Sequence, residues 1–526
     1  MKYHVTRINT GFLAERGGFE PPCRVSTTIR FRVGAVMTAS VPLRERRMIA
    51  RSPHIASLSA HWSRILCTVL LALFLSACGE PLGFPKEGQE LVILTHAGLI
   101  DTETENSRVA DTDSPSSFEH EVLLMFARAL GVSARFVVVP RHEIRQRLAK
   151  HEGHMAAGWL FPVPNDTHFP ASAPLLETRN VLIRHEASMP IRELEQLTGQ
   201  TVHAVRGSRQ LRLLRQLKEQ QYPGMKVVAF PSDSALELLS AVARQEVEIA
   251  LVDDTELSIA LNYYPMLDSG LEIGDPSPLV WIFPPEGNPE LYAHAQLFLE
   301  RFKAGQQLAI LRDRYFGHLQ RLKPRDITIF LSRMETRLPH YQALFEQAQL
   351  ETSIDWRLLA ALSYQESHWD PFNTSYTGVR GIMMLTGATA DRMGVSNRLD
   401  PNQSIPAGAR YLSLLKSYIP ADTPEPDRTW QALAAYNIGP GHFNAARSLA
   451  GRLGVDGDSW FEMKKVLPLL ARPEYYSRLK SGRARGGEAV IMVENIRLFY
   501  DIMQYHLPPY LPVLQAHNET EADVKG

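Results

Sequence analysis

The chain runs to 526 residues, 44% of them hydrophobic, enough for two or three domains that each bury a core of their own. Its 56 Lys and Arg against 57 Asp and Glu leave a formal net charge of −1, which excludes a global electrostatic attraction to nucleic acid. Cys23, Cys67 and Cys78 are too few and too far apart for a cysteine cluster, the histidines are scattered, and neither His-Glu-x-x-His nor a phosphate loop nor Gly-x-Gly-x-x-Gly occurs, so no metal and no cofactor is expected.

Gly17 to Cys23 shows neither helical nor strand periodicity, and residues 1–47 read as an extension upstream of a start at Met48. From Met48, residues 48–77 carry Arg51 and Arg64, then the apolar run Ile65 to Ala77. That run is too short to span a bilayer comfortably and ends in small residues, the form of a signal peptide. Leu75-Ser76-Ala77-Cys78 resembles a lipobox, which implies that Cys78 is the lipid-modified first residue of an exported protein. With Gly79 rather than Asp after it, bacterial sorting rules imply the periplasmic face of the outer membrane, reached through a lipid anchor and not a spanning helix. One cysteine would then remain, so no intramolecular disulfide is expected in the oxidising compartment.

A linker, 78–87, leads into a module at 88–320 where short apolar strands alternate with amphipathic helices. Leu91 to Thr95 reads as a strand, Phe118 to Leu130 as a helix closed by Gly131, and Ala134 to Pro140 as a strand. Thr201 to Val205, Val227 to Phe230 and Ile249 to Asp253 are further strands, separated by a helix after Ser208 and another from Ser234. This is an α/β pattern with parallel-sheet character. Two such lobes resemble extracellular solute-binding family 3, which implies a ligand between them. By that resemblance Gly207 and Ser208 would hold an anionic ligand group, Asp254 would face an ammonium, and Trp159, with Phe161, would line an apolar pocket. The turn that carries a carboxylate-binding Arg in amino-acid binders reads Gly158 to Asp166 without one. The module is therefore a scaffold, a receptor for a muropeptide stem, or a docking site for a protein partner.

Arg321 to Asp326, basic and broken by Pro324, is a linker to a mainly helical domain at 327–511, and the polar, acidic run 512–526 is expected to be disordered. Within the domain, Leu358, Leu359 and Leu362 recur at helical spacing, and Glu366 follows Leu362 by four residues on the same stripe. A carboxyl on a buried face is desolvated and stays protonated near neutrality, as a general acid for glycosidic cleavage requires. Asp370 and Asp391 are the nearest other carboxylates; Asp370 reads as a turn residue beside Pro371.

Glu366-Ser367, then Gly378 to Thr386 with Gly381-Ile382-Met383-Met384, then Ala435-Tyr436-Asn437 before Gly439-Pro440-Gly441, stand in one order and spacing. Together they resemble the lysozyme-like domain of glycoside hydrolase family 23 lytic transglycosylases, over roughly 326–510. The resemblance implies cleavage of peptidoglycan strands by Glu366 alone, as acid and then base, giving 1,6-anhydromuramoyl ends. It implies that Ser367 orients the carboxylate or binds substrate, that Met383 and Met384 lie along the glycan groove, that Tyr436 supports Glu366, and that Asn437 contacts an acetamido sugar. Relatives often carry Tyr where Met492 precedes Val493, so either Tyr476 or Tyr475 substitutes or the site manages without that hydroxyl. Two rivals remain: a hydrolase, which needs a second carboxylate, and a binding receptor whose helical domain is inactive.

Overall fold

The computed structural model describes residues 82–96, 117–163, 166–376, 378–477 and 482–511. The expected extension, signal peptide, Cys78 and C-terminal tail lie outside them.

The first sheet is parallel, ordered β2-β1-β3, from β1 (Glu90–Thr95), β2 (Ser133–Val138) and β3 (Met155–Ala156). Two helices, α1 (Ser117–Ala129) and α2 (Ile144–Ala149), belong to it. The chain then crosses into a five-stranded sheet ordered β6-β5-β7-β4-β8, made of β4 (Leu176–His185), β5 (Thr201–Val205), β6 (Lys226–Phe230), β7 (Ile249–Asp253) and β8 (Leu267–Leu279). Three helices accompany it: α3 (Arg209–Gln220), α4 (Ala235–Ala243) and α5 (Asp254–Tyr263). Ser208, Ser234 and Asp253 cap them, each side chain accepting a backbone N–H of the first turn.

The parallel expectation holds for β5 with β6 and β7, but β4 runs antiparallel to both β7 and β8. Sequence reading missed β4 and β8. The first carries Glu177 and Arg179 exposed and Arg184 buried, and the second is interrupted by Gly270, Gly274, Pro276 and Pro278, all poor strand signals. After β8 the chain returns to the first lobe. Trp281 and Phe283 join the core of Leu91, Ile93 and Phe118, and α6 (Pro289–Ala304) and α7 (Gln307–Phe316) complete it. Each lobe is thus closed by its own core, joined through two crossing segments that pair Leu175 with Leu279 and Ser172 with Trp281.

The remaining elements are helical: α8 (Pro324–Thr336), α9 (Gln342–Thr352), α10 (Trp356–Ser367), α11 (Gly387–Met393), α12 (Pro401–Ser417), α13 (Asp427–Ile438), α14 (Pro440–Leu453), α15 (Trp460–Val466), α16 (Pro473–Tyr476) and α17 (Gly486–His506). Helix α10 is buried on every side from Trp356 to Tyr364, more than the single stripe the sequence suggested, because it lies at the centre of the bundle. Asp355 caps its start, and it ends where His368 and Trp369 both turn left-handed, at φ 56° and 57°. Two non-glycine residues in that region cost energy. Trp369, fully enclosed, donates its indole N–H to Ala360 O at 2.9 Å and holds the turn.

Candidate active site

Glu366 occupies the last turn of α10, and the left-handed stop directly after it turns the chain away, so the carboxyl is left at the mouth of the bundle. It faces an open cleft of about 240 Å³ lined by Gln365, Glu366, Asn437, Glu488, Ile491 and Met492. Part of its surface meets solvent, yet the surrounding protein desolvates it enough to push the carboxyl up to about 8. Burial is the sole cause: no cation sits close enough to pull it back.

Ser367 is not open to substrate as the resemblance implied. It is 2% exposed, and its hydroxyl bonds to Ser363 O at 3.1 Å and to Ile382 O at 2.8 Å. Ser363 donates to the same Ile382 oxygen at 3.0 Å. The two serines, one helical turn apart, therefore fasten the 378–385 loop to α10 behind Glu366. Met383 is likewise no groove residue: its side chain is fully enclosed and packs where a Cβ on Gly408 would lie only 2.6 Å away. Its backbone carbonyl accepts the Tyr436 hydroxyl at 2.8 Å. Met384, half-exposed at φ 47°, is the member of the pair that reaches the surface.

Tyr436 sits in the last turn of α13. Burial, and after it the nearby Glu366 charge, push its hydroxyl well above the usual phenol range. It remains a hydrogen-bond donor at any physiological pH, bracing the loop beside the acid. Asn437, next in the chain, is exposed into the cleft. Tyr476 is half-buried on α16 and does not line this cleft; the position left by the missing Tyr is filled by the thioether of Met492, 4% exposed, on α17. Sequence reading missed Gln365, Ile491 and Glu488. Glu488 and Met492 stand four apart on one face of α17, a spacing that could have placed both at the cleft once either was assigned to it. Glu488 is exposed and pairs with Arg485 at 3.5 Å.

In the two-lobe module the expected ligand residues are already engaged with the protein. Ser208 spends its oxygen on Leu211 N, capping α3. Gly207, at φ 73°, lets the second lobe approach the first so closely that a Cβ would lie 3.1 Å from the His142 backbone. Asp254 accepts Arg179 N near the surface; the enclosed acid is its neighbour Asp253, 1% exposed. Trp159, left-handed at φ 52°, bridges the lobes: its backbone N–H donates to Glu119 at 2.7 Å and its indole N–H to Asp253 at 2.9 Å. Burial pushes Glu119 up to about 7.

The family model described as Transglycosylase SLT domain matches residues 343–456, which include Glu366, the loop and Tyr436. The chain is 41% identical over 458 residues to a membrane-bound lytic murein transglycosylase F of Methylobacillus flagellatus, covering 86% of this chain and 96% of that protein. It is 39% identical over 446 residues to the protein of the same name from Nitrosospira multiformis, covering 84% and 91%. Among solved structures, an ancestral arginine-binding protein bound to arginine matches at 18% identity and a TM-score of 0.38, covering 43% of this chain and 98% of that one.

Proposed function

The chain belongs to the family of membrane-bound lytic murein transglycosylase F, and from that premise we propose how its residues carry out peptidoglycan cleavage. The observation that carries the mechanism is Glu366, held protonated at neutral pH by burial alone at the mouth of a cleft. It gives its proton to the glycosidic oxygen between N-acetylmuramic acid and N-acetylglucosamine as that bond breaks. The 2-acetamido group of the muramoyl sugar assists at C1. The Glu366 carboxylate then takes the proton of the C6 hydroxyl, whose oxygen attacks C1 and closes the 1,6-anhydro ring. The nucleophile is part of the substrate, so proximity replaces a second side chain. Asn437 faces the same cleft and is suited to the acetamido group, while Tyr436, Ser363 and Ser367 fix the loop.

Digestion of purified sacculi followed by mass spectrometry tests this. The unmutated chain should release anhydro ends, lighter by one water than hydrolytic ends, and Glu366→Gln should release neither. Glu488 favours a second reading, because it places another carboxylate in the cleft. Reducing ends, lost in Glu488→Gln, would make the enzyme a hydrolase and overturn the anhydro route.

The two-lobe module is read as a receptor that answers to cell-wall peptides and adjusts the enzyme. For the membrane, the reading is a lipid on Cys78, which the run Leu75-Ser76-Ala77-Cys78 supports. Radiolabelled palmitate should enter the chain in a bacterial host and fail to enter Cys78→Ser.

A further inference from the structure

Between the lobes the cations outnumber the acids free to meet them. Arg209 opens α3 on the second lobe and is 8% exposed. Its guanidinium lies 4.1 Å over the ring of Phe161, which belongs to the first lobe's core, and one nitrogen donates to Thr178 at 2.7 Å. Its Nε and Nη1 are buried without any partner. On the first lobe Arg141 shows the same feature: its Nε is buried and unpartnered, and it lines a void of about 10 Å³ with Ser208, Gln210 and Glu256.

The acids beside them are already in use. Asp253 accepts Thr255 N, Glu256 N and the Trp159 indole, and it shares a further hydrogen bond with the Glu256 carboxyl. Burial first, and then the Asp253 charge, raise Glu256 well above the carboxylate range. Arg145 is paired with Asp166 at 2.6 Å. Arg209 thus faces acids the protein already engages, Asp253, Glu256 and Asp254, while Arg145 and Arg212 add to the positive field around Arg141. Buried guanidinium N–H groups with no acceptor are a cost that native proteins retain mainly at sites where something else supplies the acceptor.

We propose that the module takes a ligand through a carboxylate held between the lobes by Arg209 from the second lobe and Arg141 from the first. This moves the anion-binding group from the turn after β3, where Gly158 to Phe161 offers no cation, to the start of α3 across the cleft. It rests on the reading of the module as a receptor and narrows its ligand to one bearing a free carboxylate. A void of 10 Å³ admits no such ligand, so binding requires the lobes to part. The contacts that then yield are Arg141 N to Asp233, Gly207 against His142, and the Trp159 indole to Asp253.

Calorimetric titration of the full chain carrying Cys78→Ser, against four probes, tests the assignment. The probes are a cell-wall tetrapeptide, the same peptide with every carboxylate amidated, L-glutamate and L-arginine. The tetrapeptide should bind, the amidated form and arginine should not, and Arg209→Met and Arg141→Gln should each weaken binding at least tenfold. Glutamate binding as tightly as the peptide would make the source a free acidic amino acid, with the site unchanged. Equal binding of the amidated peptide, binding of arginine alone, undiminished binding by both variants, or no binding of any probe would each overturn the proposal. Arg209→Met keeps the stem over Phe161 while removing the unmatched charge, so its unliganded melting temperature should not fall. A fall of several degrees would assign Arg209 a structural role instead. Sacculus digestion by the same preparations separates the two readings: anhydro products without carboxylate binding leave the enzyme standing and the site refuted, and the reverse pattern does the opposite.

Discussion

At the scale of single residues, the site works by leaving one carboxyl short of solvation. Glu366 has no cation near it, and burial alone moves it from an ordinary value of 4.5 to about 8. Its folded value is raised, so the folded state holds a proton the unfolded state has lost between those limits. Stability therefore falls as pH rises from 4.5 to 8, the opposite of a salt-bridged carboxylate. Glu366→Gln removes the ionisable group while keeping its shape. The variant should match the unmutated chain in stability at pH 4.5 and exceed it by about 2 kcal/mol at pH 8, discounting for the solvent that reaches the side chain. Thermal melts across that range check it; a constant gap would mean that Glu366 is ionised throughout. The same number sets the activity profile, since a general acid with this value loses its proton above pH 8 and turnover should fall there. That Glu366 stands on a partly buried helix face was legible in the sequence from the stripe of Leu358, Leu359 and Leu362. What Ser367 and Met383 do was not, because a motif gives neighbours in the chain and these two residues point backwards, one to Ile382 O and the other into the core.

At the scale of elements, the cleft depends on a loop held at its middle, from two helices, by atoms the chemistry never touches. Ser363 and Ser367 grip Ile382 O from α10, and Tyr436 grips Met383 O from α13. Just before them Gly381, at φ 84°, presses so close to the next segment that a Cβ would lie 1.8 Å from Arg398 O. No rotamer can relieve that contact, because both partners are backbone. Gly381→Ala must shift the loop, and a displacement of about 1 Å beside the reacting atoms costs roughly 100-fold in turnover. Activity on sacculi should fall by that order while the helical circular dichroism is retained; activity within twofold would show that the loop does not position the site. Several helices were readable from periodicity and turn residues, among them those after Ser208 and Ser234 and the one that carries Glu366, while α2, α5, α6 and α7 were not. The sheet was less so: β4 and β8 pair antiparallel over a long stretch that carries charges on one strand and glycines and prolines on the other. Pairing partners distant in sequence supplied what local propensity withheld.

At the scale of the whole molecule, the helical domain touches both lobes of the module. On the first lobe Arg314 of α7 pairs with Glu121 at 2.8 Å and with Asp427 of α13 at 3.0 Å, and Lys464 of α15 pairs with Asp313. Arg497 of α17 donates to the carbonyls of Asp313 and Arg314. On the second lobe Tyr263 of α5 stacks on Tyr505 of α17 at 4.1 Å, and Tyr264 bonds to the same tyrosine. The helix that supplies Glu488 and Met492 to the cleft is thus held at its middle by one lobe and at its far end by the other. Those contacts also support an enclosed charge group in α17: burial alone would raise Glu494, but Arg497 and Lys464 hold it down at about 2. A chain cut to begin at Arg321 loses the Arg314 and Asp313 partners and uncovers the face of Tyr505. Partly unmatching a buried ion network and exposing an aromatic face costs about 3 kcal/mol, roughly 9 °C in a domain of this size. The truncated chain should therefore melt roughly that much lower than the same domain within the full chain, followed by fluorescence and by loss of sacculus cleavage. Equal melting would mean that α17 is rigid without the module. The module could then influence the cleft only by covering it, since no shift of α17 would be left for the lobes to impose.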